Sequence, residues 1–311
     1  MDEEVLTLKK ITIWFITCGV LFLGGCFNVD NTKKETKQPN QEDEQYISVQ
    51  DYDGEGYTLR GGQDEAVDIA KQHKEKIVKA VEEFFLDNYK TEVKVNKFIG
   101  AKDAISVTVE SVSEPFFYSY AIVPVDFNSK TVATDRVFTL EGEVEQDIQT
   151  GLYAMAYEEE FSNLDRYLEN MKSKYPVIGR LEVTYQNTNN IRGYATPFYF
   201  ISSASYTLDE LYDEYINEPS MSKSEVKKLF KRTPIDSKGI NISINLFMEE
   251  ENVEPNKEIF DKIIHDIESM KDLPKASYSI FLNDNLINAQ TGSGKKDNTL
   301  SRKSPNKIIK K

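Results

Sequence analysis

Apolar positions recur with two different periods along this chain, and the two periods separate helices from strands. Between Asp64 and Tyr89 apolar residues return every three or four positions, which predicts one long amphipathic helix. The same spacing predicts further helices at 143–174 (with a break near Ser162-Asn163), 208–216, 223–230 and 256–271.

Strict alternation of apolar and polar residues predicts strands, most clearly at 240–247, where isoleucine and leucine alternate with asparagine and serine. Other apolar or alternating runs predict strands at 93–95, 105–109, 117–123, 132–140, 181–185, 198–201 and 278–282. Helices and strands come in blocks rather than in βαβ order, so we expect an α+β fold with helices packed on mainly antiparallel sheets. The order of the predicted helices and strands favours two α+β units, at 47–140 and 141–290, which are either separate or joined in one domain.

The amino-terminal segment 1–25 has the pattern of a signal peptide. Lys9 and Lys10 precede an apolar run at 11–25, which is shorter than the roughly 20 residues of a spanning helix. Met1-Asp2-Glu3-Glu4 is acidic where a signal is normally basic, so a start at Leu8 from a non-AUG codon is an alternative to Met1.

Leu23-Gly24-Gly25-Cys26 resembles the lipobox of bacterial lipoproteins. The resemblance implies cleavage between Gly25 and Cys26, with an S-diacylglycerol and an N-acyl group, such as palmitate, on Cys26. Two acyl chains suffice for stable membrane attachment. An ordinary signal peptide with a chance cysteine is the other interpretation.

The chain contains two cysteines, Cys18 and Cys26, and both lie in or next to the predicted signal. The mature protein would therefore form no intramolecular disulfide, which suits a Gram-positive envelope protein. Polar residues dominate 26–46, which we interpret as a flexible tether. Glycine, serine and lysine are frequent in 291–311, so we expect a disordered basic tail.

Charge limits the partners that the body can bind. The net charge is −14, although the tail carries seven basic residues against one aspartate. An acidic body repels nucleic acid, so we expect no nucleic-acid partner. The basic tail could attract anionic wall polymer or lipid.

Catalytic and metal signatures are scarce, and we assign no catalytic residue, no metal ligand and no cofactor. His73 falls on an apolar helix face and is interpreted as a structural residue, whereas His265 should face water. The run Asp51-Tyr-Asp-Gly-Glu-Gly56 has part of the spacing of a calcium loop, but Gly62 stands where the closing acid belongs, so a glycine-rich turn is favoured.

Two aromatic runs, Pro115-Phe-Phe-Tyr118 and Pro197-Phe-Tyr-Phe200, are predicted as strands. Adjacent rings on a strand point to opposite faces. Some of them could line a groove that stacks on sugar or peptide. Core packing on one side of the strand, with partial exposure on the other, is the other interpretation.

Several strings resemble a family of lipoproteins of unknown function from low-GC Gram-positive bacteria. They include Ile47–Arg60, Ala80–Tyr89, Phe117–Asp126, Gly151–Tyr157 and Asn190–Tyr194. The resemblance implies a membrane lipoprotein and carries over one functional position, Cys26.

We therefore expect a lipid-anchored protein on the extracellular face of the cell membrane, with a non-enzymatic role in binding an envelope or extracellular component. A solute- or glycan-binding receptor is the alternative, and a carboxylate-dependent hydrolase of wall polymers is a weaker one. Two facing carboxylates with stacked aromatics would favour the hydrolase, and a pocket with convergent polar groups would favour the receptor.

Overall fold

The structure is a computed structural model that describes residues 45–204, 208–233 and 236–311. The predicted signal peptide, Cys26 and nearly all of the predicted tether lie outside these ranges. Residues 45–311 belong to one compact unit.

The described residues form eight α-helices and twelve β-strands. The helices are α1 (Asp64–Gln72), α2 (Lys74–Tyr89), α3 (Glu143–Ala156), α4 (Glu158–Lys174), α5 (Glu182–Asn187), α6 (Asp209–Asn217), α7 (Lys223–Arg232) and α8 (Lys257–Ser269). The strands are β1 (Tyr46–Ser48), β2 (Val93–Ala101), β3 (Ala104–Ser111), β4 (Tyr118–Asp126), β5 (Thr131–Val132), β6 (Val177–Ile178), β7 (Tyr199–Ser203), β8 (Ile240–Met248), β9 (Ser277–Asn283), β10 (Leu286–Asn288), β11 (Leu300–Arg302) and β12 (Ile308–Ile309).

The strands assemble into two main sheets and one short ladder. Strands β2, β3, β4 and β5 form an antiparallel sheet in that order. In the second sheet β8 and β9 are parallel neighbours, while β6 and β7 pair with β8 and β11 and β12 pair with β9, all antiparallel. The ladder joins β1 to β10. The fold is thus α+β with mainly antiparallel pairing, as predicted.

One hydrophobic core runs through both sheets and the helices that cover them. Val81 of α2, Ile105 of β3, Ile148 of α3 and Ile242 of β8 are all fully buried in the same cluster. Residues of both predicted units therefore share the core.

Helix α8 shows how the amphipathic pattern is realised locally. Ile259, Ile263 and Ile267 are buried, whereas His265 is exposed as predicted. The Asn256 side chain accepts hydrogen bonds from the backbone N–H groups of Glu258 and Ile259, at 2.9 and 3.1 Å. A cap of this kind contributes about 1 kcal/mol to helix stability.

The two long helices predicted at 64–89 and 143–174 are each broken, at positions that the periodicity does not reveal. The first ends at Gln72 and resumes at Lys74, because His73 leaves helical geometry (φ −114°, ψ 17°). The His73 ring is bonded to the Lys130 carbonyl at 3.0 Å, which confirms a structural role. The second break falls at Tyr157, so the prediction of a break near 162–163 was wrong.

Two strand predictions were wrong. Residues 181–185 lie mostly in helix α5, where Thr184 Oγ1 donates to the Tyr52 carbonyl at 2.7 Å and Tyr185 Oη to the Thr196 carbonyl at 2.8 Å. These tertiary contacts outweigh the local strand preference. The strand predicted at 132–140 is reduced to β5, followed by a 3-10 turn at Thr134–Arg136.

The carboxyl-terminal tail is ordered, so the prediction of disorder at 291–311 was wrong. Strand β11 pairs with β9 through Leu300 and Leu282, and β12 places Ile308 opposite Tyr278. Ile308 is buried in the main core. Several of the basic side chains that suggested disorder make contacts within the fold: the Lys296 ammonium, for example, lies 2.5 Å from the Asp284 carboxylate.

Candidate functional site

A cavity of about 770 Å³ opens between α3, α4, the start of α7 and the connection from β3 to β4. We call it the aromatic cleft. It is lined by Glu114, Phe116, Gly151, Ala154, Met155, Glu158, Glu159, Phe161, Ser162, Asn163, Asp165, Arg166, Tyr194 and Lys223.

Aromatic rings form one wall of the aromatic cleft. The rings of Phe116 and Tyr194 meet edge to face, with centroids 6.5 Å apart, and both side chains are partly exposed. Behind them Phe161 stacks on Tyr199, with centroids 5.7 Å apart and an interplanar angle of 13°. Such pairs add about 1 kcal/mol beyond the burial of their area. The exposed rings are therefore held in place by a packed aromatic layer.

Gly151 gives this wall its shape. A Cβ atom at this position would lie 2.7 Å from the Phe116 carbonyl oxygen and 3.1 Å from Cβ of Pro115. Only glycine lets α3 approach the Phe116 backbone this closely. The close approach brings Phe116 to the cleft.

Charged side chains also line the cleft, and one lysine joins two of them. The Lys223 ammonium lies 2.8 Å from a Glu114 oxygen and 2.6 Å from a Glu158 oxygen. Hydrogen bonds from the ammonium to Glu114 and Glu158 raise the pKa of Lys223. Lys223 is thus a cation that bridges the Glu114 and Glu158 carboxylates, and it leaves this pair no free acid and base for hydrolysis.

A second polar group lies deeper in the cleft. The Tyr199 hydroxyl donates to Asp165 Oδ1 at 2.8 Å. Burial raises the pKa of Asp165, and the Tyr199 hydrogen bond lowers it in part. Burial likewise raises the pKa of Tyr194 to about 12, so this phenol is neutral at physiological pH. The site offers hydroxyl and carboxylate groups beside apolar ring surfaces.

The two predicted aromatic runs meet near this cleft, although they contribute unequally. Phe116 lines the cleft and Tyr199 supports it from below. Phe117 and Phe198 are buried in the core, while Tyr118 belongs to a separate small cluster with Tyr185. That the exposed rings stack on sugar or peptide stays a prediction.

The other predicted sites are not part of the cleft. Cys26 and the Gly25–Cys26 cleavage point lie outside the described residues. The 51–56 segment is a turn in which Gly54 and Gly56 have positive φ and the Glu55 N–H donates to Asp53 Oδ1 at 2.9 Å. Within the described ranges, no group of three or more His, Cys, Asp or Glu residues is arranged to hold a metal ion.

Sequence reasoning missed the polar residues of the cleft because acidic residues are too common in this chain to single out a pair. Glu158, Asp165 and Lys223 come together only through the packing of α4 against the start of α7. Tyr194 lies between the strands predicted at 181–185 and 198–201. No local pattern marks these positions.

No helix in the part of the chain that the structure describes is long and apolar enough to cross a membrane. Among proteins of curated function, none matches this chain. A crystal structure of a DUF1672 family protein from Staphylococcus aureus subsp. aureus Mu50 is similar, with a TM-score of 0.68 and 22% sequence identity. The alignment covers 86% of this chain and 98% of the S. aureus chain, so the two share a fold.

The family model described as "Protein of unknown function (DUF1672)" matches residues 39–310. The match includes every helix and strand described above. The expectation of a family of unknown function is thus confirmed. This chain belongs to the DUF1672 family of proteins of unknown function.

Proposed function

We propose that this protein is a membrane lipoprotein, anchored through Cys26, whose body binds a glycan of the cell envelope in the aromatic cleft. The cleft carries the proposal, because it combines exposed aromatic rings with carboxylate, amide and cationic groups in one cavity of about 770 Å³. A ligand site of this size with a few convergent polar groups is typical of small-molecule and oligosaccharide binding. The role is non-enzymatic.

The anchor is supported by the sequence at Leu23–Cys26 and by the apolar run before it. A lipidated Cys26 would hold the protein on the extracellular face of the membrane, with the predicted tether (26–46) between the anchor and the body. Envelope polymers would then lie within reach of the body. Mass spectrometry of the mature amino terminus tests the anchor, and an unacylated Cys26 would contradict it.

Sugar rings match both walls of the cleft. Their C–H faces can stack on the Phe116 and Tyr194 rings, since aromatic rings offer a flat apolar surface with a defined geometry. Their hydroxyl groups can donate to the carboxylates of Glu158 and Asp165 and accept from Asn163. A neutral ligand suits this lining, because acidic and basic side chains both face the cavity.

The test is calorimetric titration of the full-length chain in detergent with a panel of neutral and N-acetylated oligosaccharides. We expect binding by at least one of them, and a loss of affinity of about 10-fold or more in Phe116→Leu. The leucine keeps most of the side-chain volume while removing the aromatic face, which contributes about 1–2 kcal/mol in such contacts.

Leu86→Ala serves as the matched control, because Leu86 is an exposed apolar residue on α2 and does not line the cleft. It should bind as the unaltered chain does. Glycan affinity that is equal in Phe116→Leu and in the control would contradict the assignment to the cleft. So would a panel in which no oligosaccharide binds.

A further inference from the structure

A second cavity, of about 490 Å³, lies at the other end of α3. We call it the Arg192 pocket; Leu59, Ser106, Ile122, Glu143, Asn189 and Arg192 line it. Leu59 and Ile122 provide an apolar surface, while the other four carry hydrogen-bonding groups. The aromatic cleft shares none of these residues.

An ion pair fixes the charged end of the Arg192 pocket. Arg192 Nη1 lies 2.6 Å from Glu143 Oε2, and the guanidinium stacks over the Tyr120 ring, 5.3 Å from its centroid. The Tyr120 hydroxyl also donates to Glu143. The guanidinium is therefore held in one orientation by contacts from α3 and β4.

Arg192 has more donors than this ion pair uses. Among the described residues, only its Nη1 group has a hydrogen-bond or salt-bridge partner, and the side chain is 25% exposed. The free edge of a guanidinium matches a carboxylate through two parallel hydrogen bonds. The Arg192 pocket thus presents an unused donor pair.

Asn189 has a hydrogen-bond acceptor in the same pocket that is unpaired within the part of the chain that the structure describes. Its Nδ2 donates to Ser106 Oγ at 2.6 Å, while its Oδ1 is buried and has no hydrogen-bond partner among the described residues. A buried acceptor without a donor costs about 1–3 kcal/mol. A ligand that brings an N–H group into the Arg192 pocket would remove this cost.

We propose that the Arg192 pocket binds a zwitterionic amino acid with an apolar side chain. The ligand carboxylate pairs with the free edge of Arg192, and its side chain packs on Leu59 and Ile122. A rotation of the Asn189 side chain brings the buried Oδ1 to the pocket surface, where it accepts from the ligand ammonium. This is a second binding site, independent of the glycan site proposed above.

Charge balance favours a zwitterion over a simple ion. An anion alone would meet Glu143 and the nearby Asp147 carboxyl, whose Oδ2 lies 3.9 Å from Arg192 Nη1. A cation alone would meet the guanidinium. A ligand that carries both charges and is neutral overall satisfies the donor and the acceptor without disturbing the Arg192–Glu143 ion pair.

The test uses the full-length chain in detergent and saturation-transfer NMR with each of the twenty standard L-amino acids. We expect signals from those with apolar side chains. The best of them is then titrated by calorimetry beside its carboxamide and its deaminated acid. Each analogue lacks one charged group and should bind about 10-fold or more weakly.

Three variants separate the possible explanations. Ala101 at the end of β2 also lines the pocket. Ala101→Phe leaves Arg192 and Glu143 unaltered, fills the pocket and should abolish binding. Arg192→Lys keeps a cation beside Glu143 but loses the planar donor pair, so affinity should fall about 10-fold or more. Phe116→Leu, in the aromatic cleft, should leave amino-acid binding unchanged.

The proposal is overturned if no amino acid gives a signal, or if binding persists in Ala101→Phe. It is also overturned if the carboxamide and the deaminated acid bind as tightly as the amino acid. If amino acids bind as expected but no glycan binds, only the proposal for the aromatic cleft is contradicted.

Discussion

Asp147 lies on the buried face of α3, where Ser119 Oγ donates to its carboxylate at 2.7 Å. Burial is the largest influence on this group and raises its pKa from 3.8 to about 7. Arg192 and the Ser119 hydrogen bond oppose the shift, while Glu143 and Glu145 add to it. The folded protein therefore retains a proton on Asp147 that the unfolded chain releases at lower pH.

This difference in proton binding makes the stability of the protein depend on pH in a definite direction. Between about pH 4 and about pH 7 the folded state binds one more proton at Asp147, so its contribution to stability falls as the pH rises. Above about pH 7 both states are ionised and the fall ends. Urea unfolding at a series of pH values should show this trend in the unaltered chain relative to Asp147→Asn, which cannot ionise. A difference that is flat or rises with pH would contradict the assignment.

Gly193 separates Arg192 of the Arg192 pocket from Tyr194 of the aromatic cleft. Its φ is +72°, and a Cβ atom would lie 2.4 Å from Thr150 Oγ1. Gly193→Ala should lower the free energy of unfolding by about 2 kcal/mol or more and weaken ligand binding at both sites. Chemical denaturation and calorimetry measure the two effects.

Gly142→Ala is the control for that substitution. Gly142 also has a positive φ, of +78°, but the nearest atom to its Cβ position is 4.0 Å away. It should cost only about 1 kcal/mol, the price of the backbone conformation alone. Equal losses in the two variants would show that the contact with Thr150 is unimportant.

Single residues of both sites were largely beyond sequence reasoning, for a physical reason. Asp147 could have been noticed, because it lies on the same helix face as Val144, Ile148 and Leu152. Arg192 and Asn189 could not, since they belong to a polar segment whose partners on β3 and α3 are distant in the sequence. Phe116 was named only as one of several aromatic residues.

At the scale of elements, periodicity identified most helices and strands because their buried faces are long and regular. Helix α8 and strands β8 and β9 agree with the predicted positions within about three residues. Short elements were missed where a few tertiary contacts decide the conformation, as in α5 and β12. In β8 the predicted polar face is also largely buried: Ser243 and Asn245 are both buried, and the Asn283 side chain donates to Asn245 Oδ1 at 2.6 Å.

The final strands make the tail part of the fold, and this can be tested by truncation. Deleting residues 298–311 removes β11, β12 and the buried Ile308 side chain. We expect the free energy of unfolding to fall by about 2 kcal/mol or more, since burial of one isoleucine alone contributes about that much. Urea denaturation monitored by circular dichroism measures the change.

The matched control removes charge but retains the strands. Lys303→Gln with Lys311→Gln alters two exposed lysines of the tail and should change stability by less than about 0.5 kcal/mol. If the truncated chain is as stable as this control, the two strands do not contribute to the fold.

At the scale of the whole molecule, the proposed anchor is tested by Cys26→Ala. A thiol is required for attachment of the diacylglycerol, so the variant should appear in the culture medium instead of the membrane fraction. Fractionation of cells followed by immunoblotting measures the distribution. Cys18→Ala is the control, because Cys18 lies within the predicted signal and should leave attachment intact. Membrane retention of Cys26→Ala would contradict lipidation at this residue.

A pulling force on the amino-terminal segment would act first on the ladder between β1 and β10. It contains three residue pairs, from Tyr46 opposite Asn288 to Ser48 opposite Leu286. A force along the preceding chain would load this short ladder before it reached the helices and the larger sheets. The first mechanical event would be the separation of β1 from β10, with the hydrophobic core still intact.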